Sequence, residues 1–224
     1  MSDFGQLGSR IHDLAGHTGD VTSGEPLRFG ERVPAVLCAA SALVLAIAGM
    51  RSTILTDWWL ENLVIAIFCA AAAWNWHRLT AISVTSSWML FALLCVHEYG
   101  AAYAYATPLG EWMRSVSGSS RNDYDRLIHF LYGVLTVRGF RELARGSSLI
   151  AVQSVLATSA VYEVLEWLVA AMVDPALGAE FVGAQGDDFD APKDMALALC
   201  GALLMLPWLP GDALPRASRS RDES

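Results

Sequence analysis

Charge is scarce in this sequence. Of 224 residues only 17% are Asp, Glu, Lys or Arg, where about 25% is ordinary for a soluble domain. Apolar residues make up 54%, and the mean hydropathy is +0.38. So weakly charged a chain is poorly suited to an ordinary solvated surface and points to a bilayer. Positive charge is the scarcer sign, 15 Lys and Arg against 23 Asp and Glu. The resulting net charge of −8 excludes nucleic acid as a partner, since a phosphate backbone needs a basic surface. No repeat, heptad or low-complexity tract is present, which excludes collagenous, coiled-coil and disordered chains. Paired cysteines are missing too. Cys38, Cys69, Cys95 and Cys200 each lie inside an apolar run and none forms a CxxC pair. Neither a disulfide framework nor a zinc finger is expected, and the four read as small hydrophobes. There is no CxxCH, no strand-borne GxGxxG and no P-loop, so no haem, flavin or nucleotide signature. The stretch from Met1 to Arg32 is polar and lacks the basic start and short apolar core of a cleavable signal peptide.

What is present is a series of six apolar segments, each near the length of about 20 residues that a spanning helix needs. They run over Val33–Met50, Trp58–His77, Val84–Tyr105, Asp125–Phe140, Leu149–Val173 and Pro192–Leu209. The fourth is short, its uncharged run covering only Leu127–Val137. The expected fold is an all-α, polytopic membrane helix bundle of about six transmembrane helices over residues 33–209. A polar tail at 1–32 and another at 210–224 flank it. Tryptophans mark the ends of these segments: Trp58 and Trp59, Trp74 and Trp76, Trp112 and Trp208. That is the distribution of an interfacial aromatic belt. With six spans, one face collects Arg10, Arg28, Arg32, Arg78, Arg138, Arg141, Arg145, Arg216, Arg219 and Arg221. The other collects only Arg51, Arg114, Arg121, Arg126 and Lys193. The excess of positive charge puts both termini in the cytoplasm.

Ionisable groups inside spans are costly and are functional candidates by default. Helix rise serves as a ruler for their depth. His97 lies about 20 Å from the inner end of the third segment, and Glu163 and Glu166 about 21–25 Å along the fifth. Glu61 is one turn into the second, Asp125 and His129 open the fourth, and Asp194 opens the sixth. All fall in the outer half of the membrane. Asp125 and His129 are spaced i, i+4, Glu163 and Glu166 i, i+3, and Asp190 and Asp194 i, i+4, so each pair shares a helix face. The loop Gln185-Gly186-Asp187-Asp188-Phe189-Asp190 could fold over the same layer.

Carboxylates gathered in low dielectric repel one another, and a divalent cation resolves the repulsion. The candidate metal ligands are His97, Asp125, His129, Asp187, Asp190 and Asp194. Glu163 and Glu166 are the candidate catalytic acids, one of them a further ligand and the other a general base. A mixed His and carboxylate set suits Zn, Mn or Fe(II), and an all-oxygen subset suits Mg. Arg121 could hold an anionic headgroup, with Tyr103 and Tyr124 as further substrate-binding candidates. The same residues have plainer readings. Asp125 and Arg126 could simply end a helix at the interface, and Glu163 could pair with Arg121 or a tyrosine as glue. Tyr99, Tyr103, Tyr105 and Tyr124 could be interfacial anchors. Arg121, Arg126 and Lys193 could merely neutralise the acids.

His97-Glu98-Tyr99-Gly100 with Tyr103 and Tyr105, then Arg121-Asn122-Asp123-Tyr124-Asp125-Arg126 with His129-Phe130, form one group of motifs. Tyr162-Glu163 with Glu166-Trp167, then Gln185-Gly186-Asp187 with Asp190 and Asp194, form another, and Trp59-Leu60-Glu61-Asn62 opens the second segment. Together these resemble the YjdF-type family of bacterial inner-membrane proteins over roughly residues 40–206. The resemblance implies a fold and no reaction. A fainter similarity is to VanZ-like membrane proteins, which share an Asp-x-x-x-His-Phe helix start, as at Asp125 to Phe130. It implies chemistry at the outer face, on the cell envelope.

Three functions are expected from these observations. The first is a metal-dependent hydrolase or transferase on a lipid or envelope substrate. The second is a small proton- or ion-coupled transporter. The third is a non-catalytic assembly or lipid-binding protein. Membrane lipid is the expected partner, with a homodimer as a further expectation.

Overall fold

The computed structural model describes residues 29–74, 82–181 and 187–209, and every regular element among them is helical. In chain order these are α1 Phe29–Arg51, α2 Leu55–Trp74, α3 Val84–Ala102, α4 Pro108–Ser117, α5 Tyr124–Leu143, α6 Ser148–Met172, α7 Pro175–Phe181 and α8 Asp190–Met205. A single 3-10 turn, Leu206–Trp208, extends α8. The packing below is that of the unit Val33–Ser224.

Side-chain caps set several of these boundaries. The hydroxyls of Ser83, Thr107 and Ser147 accept from the N–H of Ser86, Gly110 and Ile150, at the starts of α3, α4 and α6. The fourth apolar segment forms a 20-residue helix, longer than the expected Asp125–Phe140. Its charged last turn continues the helix because Arg138 and Glu142, one turn apart, pair at 3.1 Å. Glu142 also accepts from the N–H and hydroxyl of Ser83, at 2.8 and 2.7 Å, which ties the end of α5 to the start of α3. Helices α4 and α7 lie outside the six expected segments.

Helix α5 is central. It runs parallel to α8 and antiparallel to α3 and α6, as cross-links at both ends show. Near its start, Tyr124 donates to the Val96 carbonyl of α3 and His129 faces Glu163 of α6. Further along, Tyr132 bonds Thr158 of α6. Val137 packs with Ala151 and Val155 of α6, Ala198 and Ala202 of α8, and Leu209. This apolar half lies at one end of the bundle and the polar side chains gather at the other. Helix α2 joins the polar end through Trp58 and Glu61.

The distribution of polarity is inverted relative to a water-soluble protein. Val36, Leu43, Ile47, Leu63, Ile67, Val164, Leu203 and Leu204 are exposed, whereas Asp57, Glu61, His97, Glu98, Arg121, His129, Asp190 and Asp194 are buried. Among the described residues, α6 is the helix long and apolar enough to cross a membrane by length and composition alone. Helix α8, at 16 residues, falls short in length, and α2, α3 and α5 carry acids or histidines within them. The four cysteines are free, with Cys38, Cys69 and Cys200 exposed on helix surfaces, in keeping with small hydrophobic side chains.

Candidate functional site

The first two turns of α5 and the start of α8 build the centre of the polar end. Asp125 and His129 share a face of α5, and His129 Nε2 is 3.6 Å from Asp125 Oδ1. Asp194 of α8 completes a group of three whose ligand-type atoms all lie within 4.8 Å of one another. Glycines allow this. Gly133, one turn beyond His129, and Gly201 on α8 let the two backbones approach so closely that a side chain at either would strike the facing helix. Glu163 of α6 enters from the side, its Oε1 3.4 Å from His129 Nε2. Glu166 follows one turn on along the same helix. Asp194 Oδ1 is buried without a hydrogen-bond partner. A buried acceptor without a donor is costly, and several side by side mark a place for a ligand or a proton.

A basic rim closes the group on the side of the loop before α8. Arg121 is buried and faces Asp190, with Asp125 at 3.7 Å and Asp123 at 4.0 Å. Arg126 pairs with Asp123 at 3.1 Å, reaches Asp190 at 3.6 Å and contacts Asp187. Lys193 pairs with Asp187 at 2.6 Å. Asp187 lies in the loop outside the spanning helices. The Lys193 ammonium, and then the Phe189 N–H, hold its carboxyl below the usual aspartate value.

A second polar layer lies behind, between α2, α3 and α6. Trp58 Nε1 donates to Glu98 Oε2 at 2.9 Å, while Glu98 Oε1 is buried without a partner. The Tyr162 hydroxyl donates to Glu61 at 3.2 Å. The Tyr105 hydroxyl is 2.7 Å from His97 Nδ1, leaving His97 Nε2 buried and unpartnered.

Of the residues singled out in the sequence, Asp125, His129, Asp194 and Glu163 come together around one point, with Glu166 beside them. Asp187 and Asp190 are engaged by the basic rim. His97 points its Nδ1 at Tyr105. Arg121 is matched to aspartates of its own chain. Tyr124 is buried with its hydroxyl on a backbone carbonyl. Tyr103 is partly exposed against Tyr99, with ring centroids 5.2 Å apart. Gln185 and Gly186 lie outside the described residues, as do His77 and Arg78.

Sequence reasoning passed over Asp57, buried in the first turn of α2, and gave no role to Glu98. Glu98 adjoins His97, and its depth is as legible as that of its neighbour. Asp57 falls one residue before the expected segment start, where an acid reads as a helix-end residue.

Residues 33–211 match a family described as a predicted membrane protein, DUF2238. The inner membrane protein YjdF of Escherichia coli (strain K12) is 35% identical over 135 residues, covering 54% of this chain and 64% of that protein. The alignment thus spans just under two thirds of that relative. No solved structure matches. The family match takes in every helix from α2 to α8 and all the clustered acids and histidines, and by it the chain belongs to the DUF2238 family of membrane proteins.

Proposed function

We propose that this is a multi-pass protein of the bacterial inner membrane, with both termini cytoplasmic and the polar end of the bundle in the outer half of the membrane. In this reading Asp125, His129 and Asp194 bind a divalent cation, and the protein is a hydrolase or transferase on a lipid or envelope substrate. The observation that carries it is the Asp194 carboxyl, buried and with one oxygen lacking any donor, within 4.8 Å of an imidazole and a second carboxylate. One nitrogen and two oxygens from two helices leave coordination positions open, the pattern of a catalytic rather than a structural site. The mixed donor set favours Zn, Mn or Fe(II) over Mg. A cation held there would supply Lewis-acid activation of water or of a phosphoryl or carbonyl oxygen. Glu163 Oε1, 3.4 Å from the same His129 nitrogen that faces Asp125, is a further ligand, and Glu166 one turn on is the general base. Arg121 and Arg126 keep the aspartates of the rim in place. An anionic substrate would compete with Asp190 and Asp187 for these cations.

The test is metal content. Protein purified in mild detergent without chelators, and after reloading with Zn, Mn, Fe(II) and Mg, is measured by elemental mass spectrometry beside an Asp125→Ala/His129→Ala double variant. Near-stoichiometric metal in the wild type that is lost in the variant supports the reading and names the ion. Absence of metal in both sinks it. The bond from Tyr162 to Glu61 favours a second reading, a proton-coupled carrier, because it extends the polar chain from the site toward α2. Proton flux into proteoliposomes, abolished by Glu61→Gln and indifferent to metal, would select it.

A further inference from the structure

We propose that α4 is an interfacial helix, lying in the membrane surface at the polar end of the bundle with Leu109, Trp112, Met113 and Val116 dipped into the lipid. The sequence of α4 places these four apolar residues at i, i+3, i+4 and i+7, one stripe along a helix. Leu109 is 41%, Trp112 62% and Val116 69% exposed. The stripe is not what fastens the helix to the bundle. That contact is made about a quarter turn round, at buried Gly110, where a Cβ would come 1.7 Å from Asn122 Oδ1. Asn122 Nδ2 donates to the Thr107 carbonyl and to Glu111 Oε1, both at 3.0 Å, so the helix is pinned by its first turns and its apolar stripe is left outward. The face away from the stripe carries Glu111 and Arg114, an exposed ion pair at 2.7 Å.

Its position names the occupant. Helix α4 joins the end of α3 to the start of α5, at the level where Trp59, Tyr99, Tyr103 and Trp167 are exposed. Trp74, Trp88 and Trp208 are exposed at the opposite end. Two such rings are the two interfaces of a bilayer, and α4 lies in one of them. At ten residues it spans about 15 Å, half of what crossing needs, so it lies along the surface. An amphipathic helix with Trp on its apolar face and a charged opposite face is the pattern of a monotopic surface segment. The same helix is tied by Asn122 to Arg121 and the start of α5. Through Arg121, which faces Asp190 and Asp125, the acid group lies close to headgroup depth. The placement of α4 holds whether or not the group binds a metal.

The experiment uses the full chain in vesicles of phosphatidylcholine and phosphatidylglycerol. Emission from Trp112 is taken as the difference between the wild type and Trp112→Phe. Phospholipids brominated near the top of the acyl chain are expected to quench that difference more than those brominated near its end. Iodide in the water is expected to leave it nearly unchanged. Quenching by iodide and not by brominated lipid would overturn the proposal, and so would protection from both quenchers, which means that protein covers the stripe. As a second readout, trypsin is expected to spare Arg114 in the wild type and to cut it in Val116→Asp, whose Gly110–Asn122 contact is untouched. Equal cleavage of both would count against the proposal.

Discussion

Gly133 of α5 lies so close to Ala198 of α8 that a Cβ on the glycine would stand 1.9 Å from the Ala198 carbonyl oxygen. The contact is reciprocal, since a Cβ on Gly201 would stand 2.1 Å from the Phe130 carbonyl oxygen. On α5 the residues Asp125, His129 and Gly133 follow at intervals of four. On α8 Asp194, Ala198 and Ala202 do the same, with Gly201 beside them. The faces that bring the acids and the imidazole together are thus continued by the small residues that let the backbones touch.

Gly133→Ala is accordingly expected to push α5 and α8 apart at the level of the site. The overpacking costs about 1–3 kcal/mol, seen as a lower midpoint of thermal unfolding in detergent. It should also weaken any cation bound by Asp125, His129 and Asp194, since the two ligand helices separate. Gly139→Ala, whose Cβ would meet nothing closer than Ser86 at 3.8 Å, is the control expected to change neither. A Gly133→Ala protein with wild-type stability would show that the helices are not in this contact.

Asp194 separates a ligand site from structural glue. In a metal-free protein its buried carboxyl faces Asp125 and has an oxygen with no hydrogen-bond partner. Asp194→Asn removes the carboxyl's capacity to ionise and keeps the shape. If the group exists to hold a cation, the variant should lose metal yet be more stable in chelator, by about 1 kcal/mol. If Asp194 is glue, the same change should destabilise the protein. The sign of the shift in unfolding midpoint, measured in chelator, decides between the two.

Much of this arrangement is legible in the sequence, and its illegible parts have identifiable causes. Helix rise is fixed, so counting residues from a segment end is enough to place His97, Asp125, His129, Glu163 and Asp194 at one depth. Depth is one coordinate of three. Which of the residues at that level meet depends on how each helix is turned about its axis, and that is set by contacts such as Gly133 on Ala198, which no periodicity reports. His97 therefore has the right depth but faces Tyr105. Arg121 has the right charge but its partners, Asp190 and Asp125, come from its own chain. Helix α4 was missed although its signals are present: Thr107 as cap, Pro108 in the first turn and Gly118 with φ 72° after the last. Ten residues with a net polar face read as a loop when only spanning lengths are sought.

The Trp58–Glu98 bond joins α2 to α3 across 40 residues of sequence and is buried. Since Glu98 Oε1 has no partner, Trp58 Nε1 is the donor that satisfies the other oxygen. Trp58→Phe removes that donor together with the outer ring of the indole that lies against Gly49, so the double variant is needed to isolate the bond. The expected loss is about 2–4 kcal/mol, the lost hydrogen bond and the vacated ring volume together. Glu98→Gln should recover part of it in the double variant, because a neutral amide is cheaper to leave unpaired. Additive losses in the two single variants and the double would mean that the bond contributes nothing.

The loop before α8 should loosen on acidification, and the direction follows from Asp187. Its carboxylate accepts from the Lys193 ammonium at 2.6 Å and from the Phe189 N–H at 3.1 Å, and it also contacts Arg126. These donors favour the charged form, so the folded-state pKa lies below the ordinary value, which is about 3.9. A depressed acid lends its stabilisation above its unfolded-state pKa and loses it as pH falls through the folded-state value. The latch is therefore closed at neutral pH and opens below about pH 4. Amide hydrogen exchange over residues 187–193, corrected for its intrinsic pH dependence, should be slow at neutral pH and accelerate in that acid window. Asp187→Asn should exchange fast at neutral pH and show little further acceleration on acidification. Arg126 would be released from one of its carboxylates in that variant, so an anionic headgroup should find it more readily. Indifference of the exchange rate to both acid and the substitution would mean that Asp187 does not hold the loop.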